Sequence, residues 1–372
     1  MIGAFEPYSP RVPEPASTPG RARLGVVVVT YDSAEALRRT LPALGAELAP
    51  EDRLVVVDNA SRDATLEVVA ALAPDAEVVA NPGNPGFAPA ANQGAELLDT
   101  EIVLLLNPDA VPAPGFGGAI RRPLEEGRGW AAWQGLVSAE EGRVVNTSGG
   151  VVHFTGIAWA GQAGLPLSAA PEGPREVSFA SGACLAVTRE AWRRVGGFRE
   201  GFFMYCEDVD LSLRLHLAGE RVGIEPSARV DHDYAFAKGL DKWRLLERNR
   251  WAVILAVYPR SLLVLLAPAL LATELALLPA AAAGGWLGPK LRAGAETLRA
   301  LPRLRVERRA VQGVRAVSAL ELAGWLTADL GSAYLGAAGR SRVLRAVLRA
   351  YWRAVRAALR ALSGDPRSRA KR

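Results

Sequence analysis

The sequence predicts an α/β fold built on a doubly wound, largely parallel sheet, with a helical region after it. Two observations carry this. Near-continuous β-branched runs alternate with helix-length segments through the first hundred residues, and after about residue 260 the composition turns to Leu and Ala and then to Arg. Strands covered by helices on both faces read as unbroken apolar runs, because neither side meets water.

The strands come in order. Leu24-Gly-Val-Val-Val-Val-Thr30 is the first, and it ends at Tyr31-Asp32-Ser33, where Asp32 or Ser33 is placed to cap the next helix. Arg53 to Asp58 is the second, followed by the polar turn Asn59 to Asp63 and a helix from Ala64 to Ala73. Glu77 to Ala80 is a short third strand, Ala88 to Leu98 a helix, and Glu101 to Leu106 a fourth strand. Sheets of this kind bind ligands beyond the carboxyl ends of their strands. Thr30-Tyr31-Asp32, Asp58-Asn59 and Asn107-Pro108-Asp109 all fall there, so they are expected to converge on one site. From Trp130 to about Pro226 the alternation weakens, with glycine-rich connections and helices near Arg189–Val195 and Asp208–Ala218. An acceptor region is expected in this stretch.

Charge is unevenly spread over the 372 residues. Lys290 to Arg372 holds 19 Lys/Arg against 5 Asp/Glu, so the first 289 residues are net negative although the whole chain is +5. A basic tail on an acidic body points to a surface partner of the tail and away from nucleic acid as the main ligand. Cys184 and Cys206, the only cysteines, have no metal-ligand spacing and make no disulfide scaffold, which fits a reducing compartment. Residues 1–23 hold five prolines and no apolar stretch of signal length, and read as a flexible leader.

Five pieces in order give the chain a resemblance: Val28-Val-Thr-Tyr-Asp-Ser33; Val57-Asp-Asn-Ala-Ser61; Asn81-Pro-Gly-Asn-Pro-Gly-Phe-Ala88 with Asn92-Gln-Gly94; Leu106-Asn-Pro-Asp109; and Gly196-Gly-Phe198 with Phe203-Met-Tyr-Cys-Glu-Asp-Val-Asp-Leu211. Together they resemble the inverting family-two glycosyltransferases of GT-A fold, in particular the rhamnosyltransferase-like branch. The likeness covers about Leu24 to Arg260 and implies a GT-A domain over 24–259 and a helical, basic, membrane-associated region over 260–372.

The chemistry so implied is transfer of a sugar, rhamnose or another hexose, from a UDP- or dTDP-linked donor to a glycan or lipid-linked acceptor. A diphosphate leaving group needs charge neutralisation, commonly by a carboxylate-bound divalent cation, Mg2+ or Mn2+. The resemblance places Asp109 as metal ligand, although Asn107 stands where relatives often have a second Asp. Asn107 is then expected near the ribose, and His232 in Val230-Asp-His-Asp-Tyr234 at a metal or diphosphate position. Asp58, Thr30 and Tyr31 line the expected donor pocket, with Asn84, Gly86 and Asn92 in the following turn and helix. Gly197, Phe198 and Glu207 mark the acceptor region, and Asp208 is the expected general base. Three carboxylates within Glu207-Asp208-Val-Asp210 repel one another, which should raise at least one pKa. Asp210 and Arg214, four apart on a helix, are expected to pair. Arg248 and Arg250 are placed either as diphosphate contacts or on a solvated helix face.

Ser261 to Pro289 carries one charge, Glu274, in 29 residues, long enough for a membrane span. A single span would set the basic tail opposite a domain that needs cytosolic nucleotide sugar. Pro268, Glu274, Pro279 and Gly284-Gly285 are also expected to interrupt it. The reading is therefore a helix or hairpin lying in the interface on the cytoplasmic face. Arginines 342, 345, 349, 353, 356 and 360 opposite an apolar face make a second amphipathic helix suited to anionic lipid. A polyprenyl-phosphate sugar synthase and a non-catalytic nucleotide-sugar-binding scaffold are the competing readings. The first strand lacks the Gly-x-Gly-x-x-Gly of dinucleotide-binding oxidoreductases, and the chain lacks the Gln-x-x-Arg-Trp of processive synthases.

Overall fold

A computed structural model describes residues 22–232, 239–331 and 341–363. The leader expected over residues 1–23 thus lies outside the described residues up to position 21, as does Tyr234. Residue 23 is tied down, since its guanidinium engages Glu101 and Asp99.

The four expected strands form, as β1 (Leu24–Thr30), β2 (Arg53–Asp58), β3 (Glu77–Ala80) and β4 (Ile102–Leu106). They pair in parallel in the order β3-β2-β1-β4. Successive residues of β1 feed opposite layers, as strand geometry requires. Val26 and Val28 pack under α1 (Ala34–Gly45) and α2 (Thr65–Leu72), whereas Val27 and Val29 pack under α3 (Phe87–Glu96). Capping at α1 differs from expectation: the Ser33 hydroxyl turns back to Tyr31, and the first-turn N–H of Ala34 is taken by the Asp63 carboxylate at 3.0 Å.

Beyond β4 the sheet becomes mixed, which explains why simple alternation fails from Trp130 onward. After β5 (Val111–Pro112) and α4 (Phe116–Glu125) come β6 (Trp130–Ala139), β7 (Val144–Thr147), β8 (Gly150–His153), β9 (Ala158–Ala160), β10 (Arg175–Glu176) and β11 (Cys184–Thr188). Helices α5 (Arg189–Val195) and α6 (Glu207–Leu217) precede β12 (Arg221–Asp231). β11 inserts antiparallel between β4 and β6, and β12 runs parallel to β6. Cys184 and Cys206 are both free thiols.

The C-terminal region is helical: α7 (Asp241–Val257), α8 (Arg260–Ala283), α9 (Leu287–Gly313), α10 (Ala319–Leu322) and α11 (Arg342–Leu362). Composition changes at residue 260, but the core does not stop there. Leu262, Leu266, Leu270, Leu304 and Trp352 share one buried cluster with Val27 and Leu185, and β13 (Leu326–Thr327) pairs with β8. Two expectations need correction. Pro268 and Pro279 do not interrupt α8, because both lie on its exposed side together with the residues four before them, and the helix runs on to its end at Gly284. On α11, part of the apolar face is used internally: Trp352, Val355 and Leu359 are buried, Trp352 stacks on Phe154 with ring centroids 5.1 Å apart, and the Tyr351 hydroxyl donates to the Leu265 carbonyl.

A buried ionic knot joins α7, α8 and α9. Arg250 meets Glu247 at 3.1 Å and also Glu274, while Lys290 Nζ lies 2.6 Å from Glu247 and 2.8 Å from Glu274. Breaking such a knot from one side leaves charge buried without its partner, which costs roughly 3–5 kcal/mol. Arg250→Met should therefore lower the free energy of unfolding in urea by about 3 kcal/mol or more, with secondary structure retained at zero denaturant.

Candidate active site

Strand pairing assembles one half of the site. β5 pairs antiparallel with the end of β12, Val230 opposite Pro112 and Asp231 opposite Val111, so the next residue of β12 falls beside the turn after β4. His232 Nε2 lies 3.0 Å from Asp109 Oδ1 and 3.4 Å from Asn107 Nδ2. The imidazole is only 4% exposed and is backed by Asn146, whereas the Asp109 carboxylate is 45% exposed. Among the described residues no cluster of three or more His, Cys, Asp or Glu is placed to hold a metal ion. The Asp109 carboxylate suits Mg2+ or Mn2+, which complete their shell with water and diphosphate oxygens, and the His232 imidazole would favour Mn2+, the softer of the two.

The other half sits at the start of α6. Asp208 Oδ2 accepts from the Gly182 N–H at 3.0 Å and Oδ1 from the Val209 N–H at 2.7 Å. The next residue, Ala183, accepts at its carbonyl from the Asn107 N–H at 3.1 Å. Consecutive residues of one segment, about 3.8 Å apart at Cα, thus bind Asp208 and the backbone of the Asn107–Asp109 turn side by side.

The three clustered carboxylates have three different surroundings. Asp210 is fully buried between Arg199 Nη2 and Arg214 Nε, each at 2.6 Å, and the two guanidiniums outweigh burial and hold its pKa below the usual range. The Asp210–Arg214 pairing expected from spacing is present. Glu207 is buried, and its Oε2 has no hydrogen-bond partner among the described residues. Burial and then the neighbouring Asp208 charge push its pKa up to about 8. Asp208 is also raised, because desolvation of its surroundings exceeds the help of the N–H groups at Gly182 and Val209.

The loop entering α6 is strained. Tyr205 and Cys206 have φ of 70° and 62°, left-handed values that cost a residue with a side chain roughly 1–3 kcal/mol each. Both amide hydrogens of Asn249, on α7, bind this loop, reaching the Met204 carbonyl at 2.9 Å and the Tyr205 carbonyl at 2.7 Å. Asn249 is hard to single out in the sequence because its partners, Met204 and Tyr205, lie 45 and 44 positions away. An amide set in a half-apolar helix was the available signal.

Several expected site residues are placed as follows. Asp58 and Thr30 lie at adjacent strand ends, the Thr30 hydroxyl donating to Asp58 at 2.8 Å, while the Ser61 N–H and hydroxyl also bind the Asp58 carboxylate. Tyr31 is 49% exposed above them. Asn84 is exposed and caps its own turn by accepting from the Gly86 N–H at 2.9 Å. Gly86 has φ 99°, and a Cβ there would meet the Phe203 carbonyl at 2.4 Å, so the close approach it permits is to the catalytic-side loop. Asn92 is corrected: its amide and carbonyl both bind the Phe198 backbone, at 2.8 and 2.9 Å, leaving it a structural clamp instead of a donor contact. Phe198 is corrected with it, being buried in the core against Trp192 and Phe87, and the Gly197 carbonyl is occupied by Arg214. Arg250 is corrected too, since buried carboxylates claim it, and Arg248 donates to the Gly201 carbonyl at 3.1 Å.

A parallel half-sheet joined to a mixed half fits a nucleotide-sugar glycosyltransferase, and likeness to known proteins supports that class. The family model for glycosyl transferase family 2 matches residues 25–195. The N-acetylglucosaminyl-diphospho-decaprenol L-rhamnosyltransferase of Mycobacterium tuberculosis (strain ATCC 25618 / H37Rv) is 30% identical over 247 residues, 59% of this chain and 78% of that one. Rhamnosyltransferase WbbL of Escherichia coli (strain K12) is 45% identical over 81 residues, 20% of this chain and 30% of that one. A crystal structure of GalNAc-T7 with UDP, GalNAc and Mn2+ superposes with a TM-score of 0.52 at 16% identity, over 64% of this chain and 48% of that one, a likeness of fold. The chain belongs to glycosyl transferase family 2 and is rhamnosyltransferase-like.

The raised Glu207 pKa has a thermodynamic consequence. Native Glu207 holds its proton between the ordinary value of 4.5 and about 8, where the unfolded chain has lost it, so stability falls as pH rises through that window. Glu207→Gln should raise the melting temperature at pH 8 by at least about 3 °C and change it by less than about 1 °C at pH 5, as read by calorimetry.

Proposed function

We propose that the protein transfers a sugar, rhamnose or another hexose, from a UDP- or dTDP-linked donor to a lipid-linked or cell-surface glycan with inversion at the anomeric carbon. The observation that carries this is the shared Gly182-Ala183 segment, which binds Asp208 with one residue and Asn107 with the next. The mycobacterial relative, an N-acetylglucosaminyl-diphospho-decaprenol L-rhamnosyltransferase, supports the substrate class.

Thr30, Asp58 and the exposed Tyr31 ring form the nucleoside side of the donor site, with Asn84 in the following turn and Asn107 beside the ribose. Asp109 and His232 are the residues that would hold a divalent cation, which when bound offsets charge on the diphosphate. Asp208 accepts the proton of the acceptor hydroxyl as its oxygen bonds to the anomeric carbon. The bond from that carbon to the diphosphate oxygen breaks on the opposite side, and its electron pair leaves with the nucleoside diphosphate. Glu207 lies beside Asp208 toward the acceptor.

We further propose that the protein rests on the cytoplasmic membrane surface through α8. Among the described residues α8 is the one helix long and apolar enough to cross a bilayer. Its two sides differ, however. Leu262, Leu266, Leu270 and Glu274 form a stripe turned into the protein, where Glu274 is bound by Arg250 and Lys290. Val264, Leu271 and Leu275 are 73%, 63% and 60% exposed. A helix pinned along one side by a buried ionic knot suits an interface better than a span. The exposed Val343 and Val347 of α11 and its arginines add apolar and cationic contacts for anionic lipid.

Purified protein offered a panel of nucleotide sugars should release nucleoside diphosphate from one of them, and release from none would remove this reading. Asp109→Ala should abolish chelator-sensitive donor binding in calorimetry. Asp208→Asn should lower turnover at least about 100-fold while the donor Kd stays within a few-fold. Flotation with anionic vesicles should be lost in the combined Val264→Glu, Leu271→Glu, Leu275→Glu variant and retained by the wild type.

A further inference from the structure

We propose that Asn249 is the positioning residue that aims Asp208, holding the entry loop of α6 in its left-handed turn from the neighbouring helix. The proposal rests on the reading of Asp208 as the base. Asn249 is fully buried, and its side-chain amide donates to the Met204 carbonyl at 2.9 Å and to the Tyr205 carbonyl at 2.7 Å. Those two carbonyls belong to the peptide units on either side of Tyr205. Fixing both fixes the φ and ψ of Tyr205, the first of the two left-handed residues. The side-chain carbonyl of Asn249 is itself oriented by the Arg248 Nε–H at 2.9 Å, and the same guanidinium holds the Gly201 carbonyl at 3.1 Å. Two adjacent residues of α7 therefore bind three carbonyls of one loop.

The loop is held by neighbouring elements. Cys206 is the N-cap of α6, yet its own side chain makes no capping hydrogen bond. The turn is set from outside: by Asn249 and Arg248 on one side, and by the Phe87 N–H, which donates to the Phe203 carbonyl at 2.7 Å, on the other. Asp208 is two residues beyond the second left-handed position. A turn that relaxed toward ordinary right-handed φ would rotate the first residues of α6 and pull the Asp208 carboxylate from the Gly182 N–H. Misplacing a reacting group by about 1 Å costs on the order of 100-fold in rate. Substrate binding need not suffer, since the donor residues Thr30, Asp58 and Asp109 lie on other elements.

The test is a double-mutant cycle on the full-length protein. Asn249→Ala removes both donors. Asn249→Asp keeps the size of the side chain, and serves if the cavity left by alanine prevents folding. In a folded variant kcat should fall roughly 10–100-fold, with the calorimetric donor Kd within about twofold of wild type. In the Asp208→Asn background the same change should cost less than about threefold, because a group that works through Asp208 has nothing left to aim. A kcat within about twofold of wild type, or losses that multiply fully with those of an impaired Asp208→Asn, overturns the positioning role alone. An Asp208→Asn enzyme at full rate overturns the base assignment, and this proposal with it.

Discussion

The structure depends on a single buried carboxylate. Asp210 has no exposure and is satisfied by Arg199 and Arg214 together. Arg214 carries the constraint outward, donating to the carbonyls of Val195 at 2.6 Å and Gly197 at 2.7 Å, so the turn after α5 is fixed to α6. Arg199 carries it further, to Glu307 on α9 at 2.9 Å. A buried charge without partners is expensive enough to rearrange a fold, and with two guanidiniums it orients α6 instead. The Glu207–Asp208 pair at the start of that helix is set by what happens one turn below it.

The same logic gives adjacent carboxylates different work. Asp210 is ionised by its two cations, and Glu207 keeps its proton because burial and the charge of Asp208 both oppose losing it. Asp208 lies between, half-buried, with backbone N–H groups to stabilise its anion. Pairs of titratable groups whose surroundings push their pKa values apart are how one site holds an acid and a base at one pH. Repulsion alone predicts that some pKa rises. Which residue yields is decided by the arginines, and one of these, Arg199, stands eight residues before the cluster.

What the sequence made legible follows from how local each cause is. Strands β1 to β4 and helices α5 and α6 were readable because burial on both faces and helix periodicity leave their marks in short windows. The Asp210–Arg214 pair was readable because it is one helical turn long. The mixed half of the sheet was not, since β11 enters between β4 and β6 by pairings 78 to 86 residues apart for β4, far outside any window. Asn92 was misassigned for the same reason: its partner, Phe198, is 106 positions away. Arg250 looked like a phosphate ligand because nothing near it in sequence announces Glu274, its partner 24 residues on.

The region after residue 260 shows where composition misleads. The 29 mostly apolar residues from Ser261 to Pro289 read as a segment apart, and amphipathic arginine spacing as a face for lipid, yet both helices spend part of their apolar surface on the protein itself. Glu274 decides how α8 is to be understood. Alone in hydrocarbon it would be a severe cost, whereas bound by Arg250 and Lys290 it fastens the middle of the helix to α7 and α9. Arg250 is also the next residue after Asn249, which grips the loop before Asp208. The apolar helix and the turn before Asp208 are therefore attached to neighbouring residues of α7, Arg250 and Asn249. A surface that seats α8 is thereby coupled to that turn through Glu274, Arg250 and Asn249.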